Sequence, residues 1–360
     1  MKPEPITGML PPELEAWLAA RGDPPFRVHQ IFDWIYRKRA SSYAQMRNLP
    51  ESLRNALSDC HPLRSLTVAR QQGSQDTTRK FLFRLSDGRY IESVVIPANP
   101  ALYGRKSDRH TLCVSTQVGC AMDCKFCASG LNGLTRNLET HEIVEQILEA
   151  ERLAAVRMDN LVFMGMGEPL ANMTNFLRAV SILNAEWGVG IGARSITVST
   201  SGLVPQIRQL AELPLQIRLA VSLHGATDAV RERIMPINRK YPLGSLFEAL
   251  RYYSMLKKQM ITFEYILIEG MNDSVEQAAV LAQRARGLSA KVNLIPYNSV
   301  DGLYWKRPSE AQQDRFLDVL RAHRVTATLR REKGHDIDAA CGQLRLKEEQ
   351  SLPDLLSKPA

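Results

Sequence analysis

The 360-residue sequence has little cysteine and little tryptophan, 6 and 4 residues respectively. It also lacks any apolar run approaching the ~20 residues that a membrane-crossing helix requires. So few cysteines in so long a chain exclude the disulfide scaffold of small secreted domains. No internal repeat and no low-complexity tract is found, which excludes a solenoid and a long disordered arm. The opening MKPEPITGML lacks the basic and then apolar pattern of a secretory signal. The expectation is therefore a cytoplasmic protein without a membrane segment, whose thiols stay reduced.

Neither sign of charge is scarce, but the two are unevenly spread. The formal net charge is +8, and the first 110 residues hold 17 Lys and Arg against 11 Asp and Glu, while the other 250 hold 29 against 27. A basic excess at one end suits a phosphate backbone, although on charge alone a solvated face fits equally well.

Three of the six cysteines are crowded into GCAMDCKFCASG as Cys120, Cys124 and Cys127. Structural zinc wants four closed ligands, usually two CxxC pairs or a Cys/His set, and only one such pair is present. Three thiolates instead suit a 4Fe-4S cluster with one iron left open to a substrate or cofactor. A non-enzymatic zinc RNA-binding protein is the rival from another class. Iron and sulfide analysis separates the two.

The pattern along the chain predicts an α/β fold. Between Pro24 and Leu57, Ile31, Trp34 and Ile35 fall at helical spacing, which predicts a small helical domain over residues 1–64. From 65 to 110 the pattern alternates about Asp87-Gly88, which predicts a β-hairpin extension and a connecting loop. Residues 111–346 alternate strand and helix, predicting parallel strands at 111–115, 160–164, 195–199, 217–223, 262–268 and 292–296, with a further one at 325–330. This is a partial (β/α)6 barrel, followed by a tail over 347–360. Polar and glycine-containing segments fall at the C-terminal ends of the strands, where such barrels build their sites. They include GMGEP with Gly167 and Glu168, then Ser199, Ser222, His224 and Asn298. The glycines are expected to let the backbone approach a cofactor. Cys113 has the parity of Thr111 and Ser115, which predicts a thiol facing the barrel interior. Taken alone, Cys113 and Cys341, the latter in KGHDIDAACGQL, read as inert thiols, and Cys60 has no role legible in the sequence.

Taken together, FRVHQIFDWIY, IESVVIP, TLCVSTQVGCAMDCKFC, GLTRNL, GMGEPL, VSTSG, SLH, PINRKY, NLIPYN and GHDIDAACGQL resemble the RlmN/Cfr-type radical S-adenosylmethionine (SAM) RNA methyltransferases along nearly the whole chain. The resemblance implies a 4Fe-4S cluster on Cys120, Cys124 and Cys127, and SAM held by Gly167, Glu168, Ser199, Ser222, Leu223, His224 and Asn298. It implies two SAM per turnover. One methylates Cys341, and the other, cleaved by one electron, activates that methyl group for addition to an adenine of 23S ribosomal RNA, or also of transfer RNA. Glu92 then removes the ring proton, and Cys113 attacks the Cys341 sulfur, forming a disulfide that frees the product. Without the resemblance Glu92 would read as a solvated strand residue. The N-terminal helical domain favours the branch that methylates carbon 2 over the branch that methylates carbon 8. A flavodoxin-type electron donor and a monomeric state complete the expectation. Two departures are the long 98–110 loop, with Tyr103 and several basic residues, and Ser129 in place of the commoner threonine.

Overall fold

The computed structural model describes residues 4–74, 77–98, 108–300 and 302–330. Its centre is a ten-stranded sheet in the order β1-β2-β3-β4-β7-β8-β9-β10-β11-β12. The strands are β1 (Thr67–Gly73), β2 (Arg79–Arg84), β3 (Tyr90–Pro97), β4 (His110–Cys113), β7 (Asn160–Phe163), β8 (Ile196–Thr200), β9 (Arg218–Ser222), β10 (Thr262–Leu267), β11 (Lys291–Pro296) and β12 (Ala327–Leu329). From β4 to β12 every neighbour is parallel, as strands joined by helical crossovers must be. β1, β2 and β3 are antiparallel, and β3 pairs antiparallel with β4. The hairpin is thus hydrogen-bonded into the barrel sheet rather than standing apart from it.

The crossover helices include α4 (Thr140–Ala154), α5 (Met173–Asn184), α6 (Val204–Glu212), α9 (Leu243–Lys257), α10 (Val275–Arg286) and α11 (Glu310–Ala322), with the short α7 (Asp228–Ile234) and α8 (Ile237–Lys240) between β9 and β10. The sequence pattern missed α6 to α8, which are short. The N-terminal region contributes α1 (Pro11–Ala20), α2 (Arg27–Phe32) and α3 (Glu51–Cys60). Their apolar faces join one continuous core with the barrel, from Ile6 and Leu14 through Phe163 to Leu320. Phe32 stacks on Trp187 with ring centroids 5.0 Å apart.

Helix α4 is the keel that joins these parts, and most of its polar residues are buried. Glu145 accepts from the Thr7 hydroxyl at 2.7 Å and from the amides of Ser65 and Leu66 at 2.6 and 2.9 Å. Glu149 meets Arg64, and Glu151 meets Arg39 and Arg157. Gln146 bonds Ser93 and the backbone of Ser115. Buried carboxylates are tolerable only when their lone pairs are filled in this way.

Between β4 and α4 the chain forms a separate two-stranded ribbon, β5 (Gln117–Gly119) and β6 (Leu134–Asn137). The cysteine segment is the loop at its tip. At the neck, Cys120 N donates to Gly133 O at 2.9 Å. Gly119 has φ +77°, and a Cβ there would lie 2.0 Å from Gly133 O. Only glycine fits this position.

Candidate active site

A cavity of about 350 Å³ opens at the C-terminal ends of the barrel strands, and the cysteine loop closes over it. Its wall carries Cys113 from β4, Gly167 and Glu168 after β7, Ser199 to Ser201 at the end of β8, Ser222 and His224 at β9, and Asn298 after β11. Cys120, Cys124 and Cys127 face the same space. Nearly every residue singled out in the sequence therefore borders one volume. Leu223 and Glu92 are the exceptions among the described residues, and Cys341 lies outside them. The Leu223 side chain belongs to the hydrophobic core, while its amide donates to Glu264 O at 3.0 Å.

Glu92 is buried on β3, 3.3 Å from the ammonium of Lys80, which is itself fully buried. The solvated-strand reading is thus corrected. The alternation of an all-buried strand hides which polar residue faces inward. Val94 and Ile96, of the same parity, line the cavity. Val94 is the direct partner of Cys113 across the β3–β4 ladder, so Glu92 stands one step beyond that thiol, towards the C-terminal end of β4, on the same face.

The cysteine loop is fixed from three sides. Besides the ribbon neck, Ile234 O at the end of α7 accepts from Lys125 N at 2.8 Å, and Trp305 Nε1 donates to Lys125 O at 2.9 Å. Phe126 meets the His224 ring edge to face, with centroids 4.8 Å apart. Burial, and then the neighbouring sulfurs, push the Cys120 thiol up to about 12 and the Cys124 thiol well above its usual value. Such a thiol group ionises when a cation neutralises it. No three His, Cys, Asp or Glu side chains among the described residues converge on one metal ion. A cuboidal cluster asks only that each thiolate reach its own iron, and the donor set fits that group.

Glu168 is buried, which raises its pKa; its carboxylate accepts from Ser201 N at 2.7 Å and Leu170 N at 3.1 Å. Its own amide donates to Gln117 Oε1 at 2.8 Å, tying this loop to the ribbon. The tight packing explains the glycines in a way the sequence did not suggest. A Cβ on Gly167 would fall 2.5 Å from Gln117 Cβ, and one on Gly165 would fall 2.7 Å from Ser115 Oγ. The protein's own backbone forbids the side chain there, before any ligand is considered.

His224 has φ +54°, an uncommon conformation for a side-chain-bearing residue. Its Nδ1 accepts from Ile266 N at 2.9 Å, which fixes the neutral tautomer with the proton on Nε2. Burial and the nearby Arg231 cation depress its pKa to about 3, so the ring is a neutral donor at physiological pH.

Three polar residues escaped the sequence reading. Arg231 is wholly buried; it donates from Nε to Leu223 O and from Nη1 to Asn238 Oδ1 at 3.1 and 3.0 Å, and also bonds Ser201 O. It thereby locks the loops after β8 and β9, and burial lowers its pKa to about 10. Glu264 is a buried carboxyl on the cavity wall that accepts from Asn293 Nδ2 at 2.7 Å. A lone glutamate in the apolar text TFEYILI was the available signal. Gln117 gave no signal, because its role depends on contacts distant in sequence.

Residues 114–282 match the radical SAM superfamily, and residues 5–62 match the ribosomal RNA large subunit methyltransferase N-terminal domain. A probable dual-specificity RNA methyltransferase RlmN 3 of Opitutus terrae is 55% identical over 356 residues, covering 96% of this chain and 95% of the relative. The chain belongs to the RlmN family of radical SAM methyltransferases. An RlmN of Akkermansia muciniphila, also named a probable dual-specificity RNA methyltransferase, is 53% identical over 96% of both chains. A crystal structure of a radical SAM methyltransferase from Sphaerobacter thermophilus superposes with a TM-score of 0.89 at 46% identity, covering 95% of this chain and 99% of that one. Membership in the RlmN family carries with it use of an iron–sulfur cluster and SAM. Among the described residues no helix is long and apolar enough to cross a membrane.

Proposed function

We propose that the protein methylates carbon 2 of an adenine in 23S ribosomal RNA, with transfer RNA as a second substrate, through a methylated Cys341. The observation that supports this most directly is a single cavity bordered by the three loop cysteines, Glu168, His224 and Cys113, in a chain whose start matches the N-terminal domain of large-subunit rRNA methyltransferases. Carbon 2 of adenine lies between two ring nitrogens and is electron-poor, so it does not attack the electrophilic methyl of SAM.

A 4Fe-4S cluster held by Cys120, Cys124 and Cys127, with bound SAM, supplies the one-electron chemistry that avoids this mismatch. Gly167, Glu168, Ser199, Ser222, the Leu223 backbone, His224 and Asn298 hold the cofactor, with neutral His224 donating through Nε2. Cys341 accepts a methyl group from one SAM by displacement, a reaction suited to a thiolate. After the activated methyl has joined the base, Glu92, held beside the Lys80 ammonium, takes the carbon 2 proton. Cys113 then attacks the Cys341 sulfur, the bond from that sulfur to the methylene carbon breaks, the released carbon takes up a proton to become the methyl group, and the two cysteines end as a disulfide. A second SAM is consumed in each turnover, and a flavodoxin-type donor supplies the electron to a monomeric, cytoplasmic enzyme. The cavity is recessed at the C-terminal ends of the barrel strands, so the adenine must leave its stack to enter.

Anaerobic assay with SAM, reductant and RNA, followed by digestion to nucleosides and mass spectrometry, tests this. The expected product is 2-methyladenosine; 8-methyladenosine, or no methylated adenine, overturns the assignment. A Cys113→Ala protein is expected to retain a covalent RNA adduct and Cys341→Ala to form none. Equal adduct in both removes the division of roles.

A further inference from the structure

Tyr304 is fully exposed, at 100%, while the next most exposed large apolar or aromatic side chain among the described residues, Met255, is 64% exposed. A loop tyrosine in this state is usually mobile, yet the chain on both sides of Tyr304 is pinned. Leu303 N donates to Val300 O at 3.0 Å, and Glu269 N donates to Lys306 O at 2.9 Å. Trp305, the next residue, is tied to the cysteine loop through Lys125 O. Leu303 and Trp305 pack beside Cys124 and Phe126 on the small apolar cluster around Tyr297 and Val300. Tyr297, Asn298 and Val300 are themselves cavity wall. The segment therefore runs from the cavity to its rim and holds one aromatic ring out into solvent. Lys306 follows it as an exposed residue, and the Lys125 side chain, paired with Asp123, is 47% exposed.

An aromatic ring with both neighbours anchored has already lost much of the freedom that binding would take away. Its two faces are unused, and cations stand nearby. Those are the properties of a platform on which an unpaired base stacks while phosphates meet the cations. A protein or lipid partner would instead want a contiguous apolar patch, whereas the apolar neighbours Leu303 and Trp305 are packed against the cluster around Tyr297 and Val300.

We propose that Tyr304 is a base-stacking platform at the mouth of the cavity, holding an unpaired nucleotide that neighbours the target adenine in the RNA. This rests on RNA being the substrate. The ring does not touch the reacting atoms; it steadies the strand from which the adenine is withdrawn.

The test uses the anaerobically reconstituted full-length enzyme and a short RNA hairpin with an unpaired adenine in its loop, carrying 2-aminopurine at each position beside that adenine in turn. Tyr304→Ala is expected to bind the hairpin about tenfold more weakly and to lose the quenching of one 2-aminopurine. Tyr304→Phe and Tyr304→Trp are expected to keep both. The salt dependence of binding is expected to stay the same in Tyr304→Ala, because no phosphate contact is removed. Iron content and Tm serve as fold controls for this fully exposed site. Wild-type affinity and quenching in Tyr304→Ala overturn the proposal, as does Tyr304→Phe falling as far as Tyr304→Ala. Binding and quenching are read without turnover. A wild type that stacks the base but makes no methyladenine therefore fails the functional reading alone, and one that methylates but loses nothing in Tyr304→Ala fails the platform alone.

Discussion

At the scale of single residues, the site depends on groups whose surroundings fix their state. His224 is buried neutral, with a folded pKa near 3 against about 6.5 unfolded. Between those values the unfolded chain binds the proton that the folded chain refuses, so stability rises with pH across this window and falls as pH drops through it. Glu168 and Glu264, raised by burial, slope the opposite way. Denaturant unfolding of wild type and His224→Asn from pH 3 to 7 separates the terms: the variant should show a shallower loss on the acid side. Identical slopes would remove His224 as a source. Gly119→Ala places a methyl against Gly133 O at positive φ and should cost roughly 1–3 kcal/mol. Its reconstituted iron and sulfide should fall well below wild type, which direct analysis measures. The triad of cysteines was legible from spacing alone. Arg231 was not, since a buried arginine among AVRERI looks like any solvated helix residue until its oxygen partners on the loops after β8 and β9 and on α8 are known.

At the scale of elements, α4 shows where pattern reading stops. Its text THEIVEQILEAERLA predicts one apolar and one wet face, and the helix does form where periodicity places it. The polar face is nevertheless covered, because the N-terminal region, β3 and the ribbon all dock onto it. No local period records such long-range contacts. Replacing Glu145 with Ala strands the amides of Ser65 and Leu66 and should cost about 2–3 kcal/mol. Glu145→Gln, which keeps an acceptor, should lose less, and a urea midpoint for each variant decides the ordering. The parallel strands were more readable, since each is a short apolar run closed by polar residues. The ribbon of β5 and β6 was missed because three or four residues are too few to show alternation.

For the whole molecule, the shared core decides how it unfolds. The N-terminal helices and the barrel contribute to one apolar cluster, and Phe32 stacks on Trp187 across the join. The described protein should therefore unfold in one cooperative step, with tryptophan fluorescence and far-ultraviolet circular dichroism tracing coincident curves. Two separated transitions would show that the join is weaker than its contacts imply. The pattern along the chain foretold an α/β fold with helices at its N-terminal end, but not that these would be joined to the barrel along a row of buried acids.

The cysteine loop is held by the ribbon neck, the end of α7 and the Trp305 indole, contacts made by protein atoms alone. It is a mould rather than a strand that coils around its metal, unlike the small zinc modules that collapse when stripped. Air that corrodes the inorganic core should accordingly leave the casting intact, ready to be refilled with iron and sulfide without passing back through the unfolded chain.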